Sequence, residues 1–362
     1  MNNLSCKIYI TDEGFGPIVR QSVIIEELRK LSPAIDFTMQ LSTHVNEAQK
    51  NIIGVPVIKK FNNIVWHKTE AGEPDISSIK EFYSNYQDRS EKYIREELAE
   101  KKYSFFISDF VYEAFEIAQQ KNIPAFGVAH FTWDWFFSKL YPPPLKRSLI
   151  DAFFESANKA ECIYFPPLTP NEILSFYKSK AVKVPFIVRK SVTRKITQTH
   201  KFKVLIIDSG AQVLKQTISK AIKKLTQLKD FDFFISDNFD FDAENFHKIP
   251  ASELMIDYIP NMDLVIGRAG FNTISECIAF RIPMLLLGEA MNPEMQENIV
   301  NIKKEGLGSF ISLQQFTDDL SALLPRFVNG EYKTIKENMQ NHTFETNGAE
   351  IIAKDILNRM KK

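Results

Sequence analysis

The strongest local signal for chemistry lies between Asp263 and Gly288, in DLVIGRAGFNTISECIAFRIPMLLLG. An apolar run ends on Gly267, Arg268, Ala269 and Gly270, and a helical pattern opens at Thr273. A helix that starts where a strand stops turns unpaired backbone N–H groups outward at the positive end of its dipole, which suits an anion. Glycines carry no Cβ, so they let that anion approach the main chain closely. Asn272 and Thr273 can cap the helix or donate to a ligand, and Glu276, one turn in, can accept from a ribose diol. The same residues would also build an ordinary capped turn, and a glycine-rich turn alone does not separate the two.

GRAGFNTISE, Gly267 to Glu276, resembles the donor-nucleotide segment of GT-B glycosyltransferases, particularly the bacterial N-acetylglucosaminyltransferases of lipid II synthesis. There an R/K-x-G-x-x-T-x-x-E run follows a D-x-V-I strand. Ile282-Pro283 and the polar stretch NPEMQEN, Asn292 to Asn298, match the place where that family reads the ribose or the donor sugar. The resemblance implies Glu276 on the ribose, and Gln296 and Glu297 on sugar hydroxyls or beside the diphosphate. It also implies that Ser209 and Gly210, in VLIIDSGAQ, set main-chain groups against the diphosphate. ELMIDYIPNMD, residues 253 to 263, would receive the nucleobase through main-chain groups around Met255 to Tyr258.

In the first half, ITDEGFGPIVRQSVIIEELRK, residues 10 to 30, resembles the S-G-H-G-x-G-H-x-x-R opening of GT-B proteins. SDFVYEAFEIAQQKNIPAFGVAHFTWDWFF, residues 108 to 137, resembles the glycosyltransferase-like region of plant arabinokinases and bacterial homologues. Gly14, Gly16, Arg20 and Asp109 are thereby expected on the acceptor side. Where the family pattern has histidines this chain has Glu13 and Pro17, so the imidazole credited with deprotonating the acceptor is missing from both positions. A partly buried carboxylate within hydrogen-bond reach can do that work, which makes Glu13 the expected base and Asp12 its substitute. A polar turn in which Asp12 caps the next helix is the competing reading. His130, after the apolar IPAFGV, is the alternative base, against a histidine simply packed beside Trp133 and Trp135. Asp109 reads better as a helix cap than as an acceptor ligand, and Arg20 either meets phosphate or lies on the solvated face of its helix.

HFTWDWFFSKLYPPPLKR, residues 130 to 147, reads as core aromatics followed by a proline-rich turn, with an interfacial anchor bearing Lys146 and Arg147 as the competitor. The six histidines, at 44, 67, 130, 200, 247 and 342, show no metal-binding spacing, and DNFDFDAE, residues 237 to 244, reads as a loop. No metal is expected, and no cofactor other than a nucleotide sugar as substrate.

Elements must hold these residues in place. KIYIT at 7 to 11 precedes a helical pattern from Ile18 to Leu31, and FFISD at 105 to 109 precedes one through Ala118. The alternation restarts after the basic passage Arg189 to Lys203, with VLIID at 204 to 208, a helix near Val213 to Leu228, and strands FDFFIS, DLVIG and MLLLG. Nearly continuous apolar strands point to parallel sheets covered on both faces, with ligands at the carboxyl ends of the strands. The expected fold is therefore α/β, two doubly wound Rossmann-like domains facing across a cleft. Residues 1–195 would be the acceptor-side domain and 196–342 the nucleotide-sugar domain. The helix in 343–362, GAEIIAKDILNRM, would return onto the first domain, as the resemblance implies.

At 362 residues the chain is long enough for two domains. Forty-five Lys plus Arg balance 45 Asp plus Glu, leaving no excess charge with which to neutralise phosphates, so nucleic acid is not an expected partner. No run approaches the roughly 18 apolar residues of a membrane span. Cys6, Cys162 and Cys277 are odd in number and far apart, as reduced thiols are, and the N-terminus lacks a signal-peptide pattern. The cytoplasm is the expected location, with peripheral contact at the inner face of the membrane left open. The expected activity is inverting, metal-independent transfer of a sugar from a nucleotide diphosphate donor, UDP by resemblance, to a hydroxyl on a glycan, lipid-linked or protein acceptor. The same scaffold hosts nucleotide-sugar hydrolases and epimerases. A non-catalytic nucleotide-sugar-binding subunit would keep GRAGFNTISE and lose its base.

Overall fold

The computed structural model describes residues 4–11, 16–41, 54–59, 64–69, 73–189, 196, 200–207, 212–239 and 241–361, excluding the side chains of 59 and 212–217. The chain forms two units. The first comprises Met1–Lys68, Pro74–Ile187 and Glu345–Lys362, and the second Thr69–Glu73 and Val188–Phe344.

In the first unit, strands β1 (Ser5–Ile10), β2 (Asp36–Leu41), β3 (Val57–Lys59), β4 (Phe105–Asp109), β5 (Ala125–Val128), β6 (Cys162–Phe165) and β7 (Ala181–Lys183) form one sheet. Its order is β3-β2-β1-β4-β5-β6-β7, and every neighbouring pair is parallel. Helices α1 (Gly16–Leu31), α2 (Ile76–Tyr83), α3 (Tyr86–Leu98), α4 (Tyr112–Lys121), α5 (Trp133–Lys139), α6 (Arg147–Ala157) and α7 (Asn171–Phe176) connect the strands. Helix α1 starts two residues before the expected Ile18, because Pro17 fits a first turn, where its missing N–H has no intrahelical partner. One core of the unit is aromatic: Trp133, Trp135, Phe136 and Phe137 of α5 are buried with Tyr83, Tyr86 and Phe153, and Tyr112 stacks on Phe153 at 4.4 Å. The FTWDW string is therefore interior payload. Lys7 of β1 is also fully buried. Its Nζ donates to Glu97 at 2.5 Å and to Glu100 at 2.9 Å, and the Tyr9 hydroxyl donates to Glu97 at 2.9 Å.

The second unit repeats the plan with β8 (Phe202–Ile207), β9 (Phe231–Ser236), β10 (Phe246–Ile249), β11 (Leu264–Arg268), β12 (Met284–Leu287) and β13 (Gly308–Ile311). The order is β10-β9-β8-β11-β12-β13, again with parallel pairs. Helices α8 (Gln212–Leu225), α9 (Phe271–Phe280), α10 (Pro293–Glu305), α11 (Leu313–Asn329) and α12 (Glu331–Asn341) and a 3₁₀ helix, Met255–Asn261, complete it. Helix α10 ends where Gly306 adopts φ 63°, a left-handed stop that glycine enters without steric penalty. In each sheet the order reverses beside its first strand, between β1 and β4 and between β8 and β11. Doubly wound sheets take ligands at such reversals, beyond the carboxyl ends of the strands.

The last helix, α13 (Gly348–Arg359), belongs to the first unit. Ala349, Ile352, Ala353 and Ile356 share a core with Ile24, Ile25 and Leu28 of α1 and Ile8, Phe37 and Met39 of the sheet. The Tyr164 hydroxyl donates to Asp355 at 2.8 Å, and the Gly348 N–H donates to the Phe186 carbonyl at 3.1 Å. A Cβ at Gly348 would lie 2.1 Å from the Pro185 carbonyl oxygen and 3.0 Å from that of Phe186. Both obstacles are backbone and cannot swing aside. Gly348→Ala is expected to destabilise the protein by about 1–3 kcal/mol, the usual penalty of overpacking. The urea midpoint reads it; an unchanged midpoint would mean that this close approach is dispensable.

Candidate functional site

At the reversal in the first sheet, Asp109 ends β4 and Phe110 follows at φ 54°, a left-handed conformation rare for a bulky residue. The Asp109 carboxylate is gripped from α1. Arg20 donates from Nε to Oδ2 at 2.9 Å and from Nη2 to Oδ1 at 2.7 Å, and Gln21 donates from Nε2 to Oδ2 at 2.9 Å. Thr11 Oγ1 donates to the Asp109 carbonyl at 3.3 Å, and Arg20 Nη1 lies 3.4 Å from His130 Nδ1. Arg20, Gln21, Asp109 and His130 are all buried, and forked pairing with added hydrogen bonds is what makes a buried charge pair tolerable. Two expectations are corrected here. Arg20 occupies neither a solvated face nor an open phosphate position, because Asp109, 89 residues away, draws it inward. Asp109 does not cap the following helix; Ser108 Oγ accepts the Val111 N–H at 2.9 Å instead. The His130 ring lies edge-on to Phe131, with centroids 4.8 Å apart. Gly16 opens α1, whereas Asp12, Glu13 and Gly14 lie outside the described residues.

At the reversal in the second sheet, Gly267 and Arg268 end β11, and α9 begins at Phe271. The expected start at Thr273 is corrected by two residues: Gly270, in extended backbone, takes the N-cap without a side-chain bond, which puts Asn272 and Thr273 inside the first turn. Ala269 is committed to the turn itself, its N–H donating to Leu287 at 2.9 Å and its carbonyl accepting from Asn298 Nδ2 at 2.9 Å. Arg268 pairs with Glu289 at 2.6 Å, and the Phe271 N–H donates to Glu294 Oε1 at 3.3 Å. Gly270 has φ −78° and ψ 142°, which any residue adopts, and a Cβ built there meets nothing within 4 Å. Among the described residues nothing therefore stands where a side chain at Gly270 would begin. Ser209 and Gly210 lie outside the described residues.

One turn into α9, Glu276 is 3% exposed. Its Oε1 accepts the Arg189 N–H at 3.4 Å, and its Oε2 has no hydrogen-bond partner among the described residues. Burial pushes its pKa up to about 8, an effect that the Arg189 N–H and charge partly oppose. The Arg189 guanidinium forms an ion pair with Asp257 of the 3₁₀ helix. Gln296 is exposed and donates to the Glu289 carbonyl at 2.9 Å, and Glu297 accepts from Asn301 one turn further along α10 at 3.4 Å. Sequence reasoning missed Gln21, Arg189, Asp257, Glu289 and Glu294. Glu294 was visible inside NPEMQEN, but Arg189 reads as the first residue of a basic passage, and only the fold brings it to Glu276. Among the described residues no three His, Cys, Asp or Glu side chains are placed to hold a metal ion, and no helix is long and apolar enough to cross a membrane.

Residues 189–356 match the glycosyltransferase family 28 C-terminal domain. The chain is 30% identical over 181 residues to the UDP-N-acetylglucosamine–N-acetylmuramyl-(pentapeptide) pyrophosphoryl-undecaprenol N-acetylglucosamine transferase of Thermosipho melanesiensis, covering 47% of this chain and 50% of that protein. The chain thus spans about half the length of the curated relatives it matches. Phytolacca americana UGT2 complexed with UDP-2fluoro-glucose and pterostilbene superposes with a TM-score of 0.66 at 12% identity, over 99% of this chain and 100% of that one. The spinosyn rhamnosyltransferase SpnG complexed with thymidine diphosphate superposes with a TM-score of 0.64 at 14% identity, over 96% and 99%. At these identities the likeness is one of fold, and that fold is the GT-B glycosyltransferase type.

The Glu276 carboxyl generates a prediction. Its folded pKa, about 8, lies above the ordinary 4.5, so the folded state keeps a proton that the unfolded chain releases. The stability this contributes is fully present below pH 4.5 and is lost as pH rises through 8. Glu276→Gln removes that titration. Between pH 6 and 9 the Tm of the wild type should fall by several degrees more than that of the variant; parallel Tm curves would contradict the protonated carboxyl.

Proposed function

We propose that this chain, which carries a glycosyltransferase family 28 C-terminal domain, is an inverting, metal-independent glycosyltransferase acting on a UDP-linked sugar. One observation carries the reading: among the described residues there is open space beside Gly270 before the first turn of α9, and a buried carboxyl oxygen of Glu276 one turn in has no partner. An ordinary capped turn leaves no orphaned buried acceptor one turn in. A nucleoside diphosphate supplies both complements, phosphate oxygens for the helix start and ribose hydroxyls for Glu276. The relatives' name specifies a UDP-sugar donor, and the fold neighbours bound UDP-2fluoro-glucose and thymidine diphosphate.

In this mechanism the start of α9, Phe271 to Thr273, and Arg268 receive the diphosphate, and the same role is assigned to the main chain of Ser209 and Gly210. The nucleobase rests along Met255 to Tyr258, and Gln296 and Glu297 read the sugar. On the acceptor side, Glu13, with Asp12 as its substitute, takes the hydroxyl proton as the oxygen bonds to the anomeric carbon. The bond from that carbon to the diphosphate breaks, its electron pair leaves with the phosphate oxygen, and the configuration inverts. The helix start and its polar neighbours stabilise the departing charge, the work a metal does elsewhere. The acceptor is a hydroxyl of a glycan, a lipid-linked saccharide or a protein, and a lipid-linked one would draw the enzyme to the inner face of the membrane.

Ligand-induced stabilisation tests the reading, because a ligand at 100 times its Kd adds about 2.7 kcal/mol. UDP and UDP-sugars should raise the Tm of the wild type. Gly270→Val should cost about 1 kcal/mol of unliganded stability, the usual effect of a poor N-cap residue whose Cβ meets no clash, and should lose the ligand-induced rise. UDP release that requires a hydroxyl acceptor marks transfer. Release with water alone would instead mean a hydrolase, a 2-epimer product an epimerase, and binding without turnover a binding subunit. A Tm insensitive to every nucleotide would contradict donor binding altogether.

A further inference from the structure

Two arginine–carboxylate pairs near the carboxyl ends of the strands are built differently. The side chains of Arg20 and Asp109 are 3% and 4% exposed, and Asp109 accepts from Arg20 Nε and Nη2 and from Gln21 Nε2 at 2.9, 2.7 and 2.9 Å. A buried fork of this kind is a fixed part of the core. Arg268 and Glu289 are 14% and 15% exposed, and their ion pair runs through Nη2 and Oε1 at 2.6 Å. Among the described residues Arg268 Nε has no hydrogen-bond partner. A partly exposed guanidinium held at one corner can trade one anion for another without stranding a buried charge.

Arg268 closes β11, and α9 opens three residues later. There the Phe271 N–H donates to Glu294 Oε1 at 3.3 Å, longer than the usual range. Glu289 and Glu294 flank Asn292, the N-cap of α10, whose side chain accepts the Met295 N–H at 3.2 Å. Asn292 Nδ2 also donates to Glu289 Oε2 at 3.4 Å, and Gln296 Nε2 donates to the Glu289 carbonyl at 2.9 Å. One braced turn therefore brings a carboxylate to the guanidinium and another to the first amide of α9. Those are the groups to which the proposed function assigns the diphosphate.

We propose that Glu289 and Glu294 are built-in competitors for the donor's diphosphate, pairing with Arg268 and the start of α9 until phosphate oxygens take their places. The inference deepens the donor reading and rests on it. Before nucleotide binds, the two carboxylates keep the cation and the amide paired and in position. Once it binds, they compete with it and repel it at short range. The affinity is thereby held below what Arg268 and α9 would give alone, which favours release of the nucleoside diphosphate after transfer.

Calorimetric titration of the full chain with UDP tests this. Glu289→Gln and Glu294→Gln keep an oxygen that can accept a hydrogen bond and remove the negative charge. Each should tighten UDP binding about tenfold, the worth of one hydrogen bond to a charged group. Glu305→Gln makes the same change of charge at the exposed end of α10 and should leave the affinity unchanged. A carboxylate that only supports the fold would give no such gain. In the wild type, the side-chain carboxyl ¹³C resonances of Glu289 and Glu294 should shift on saturation with UDP. UDP binding that is unchanged or weaker in either site variant, an equal gain in Glu305→Gln, or carboxyl resonances that UDP leaves in place would overturn the proposal while donor binding stands. No UDP binding by the wild type or by either variant would overturn the donor reading, and this inference with it.

Discussion

A parallel sheet makes every strand finish on one edge and every following helix begin there, and the chemistry of both units depends on that constraint. On this edge of the first sheet lie Thr11, Asp109 and His130, with Arg20 and Gln21 reaching them from α1. On the corresponding edge of the second sheet lie Arg268 to Thr273, with Glu276 one turn behind. The two edges handle polarity differently. In the first unit the charges neutralise one another, Arg20 against Asp109, inside the fold. In the second, among the described residues, a Cβ at Gly270 would meet nothing within 4 Å and the buried Glu276 Oε2 has no hydrogen-bond partner. Such an oxygen is unfavourable in a protein that binds nothing, and a displaced carboxyl pKa beside it is the mark of a functional position.

What was legible in the sequence was whatever has a local period. FFISD and FDFFIS are nearly continuous apolar runs and became β4 and β9 with the expected limits, and the spacing of Ile352 and Ile356 announced α13. What stayed hidden depends on partners far along the chain. Lys7, inside KIYIT, looks like a solvated alternate position, yet it is fully buried because Glu97, at the end of α3, and Glu100, just beyond it, arrive from 90 or more residues away. Arg20 is indistinguishable from an exposed helical arginine until Asp109 is placed beside it. The start of α9 was misread because threonine is a favoured N-cap, whereas an extended Gly270 fills that position without help from a side chain. Residues 33 to 100 held little recognisable pattern because β3 is three residues long and α3 is mostly polar.

The family match covers residues 189–356, which include the residues assigned to the donor. The departures fall in the first half, where Glu13 and Pro17 stand in place of the family's histidines. On the proposed function this is a division of labour: one half would hold the nucleotide diphosphate and the other would read the acceptor.

The central claim is that the helix beginning after Gly270 receives the donor's pyrophosphate. Titration of ¹⁵N-labelled protein with UDP, followed through its backbone amide resonances, tests it most directly. The account predicts that the largest shifts fall on Phe271, Asn272 and Thr273. Saturable binding that leaves those three amides unmoved would contradict it.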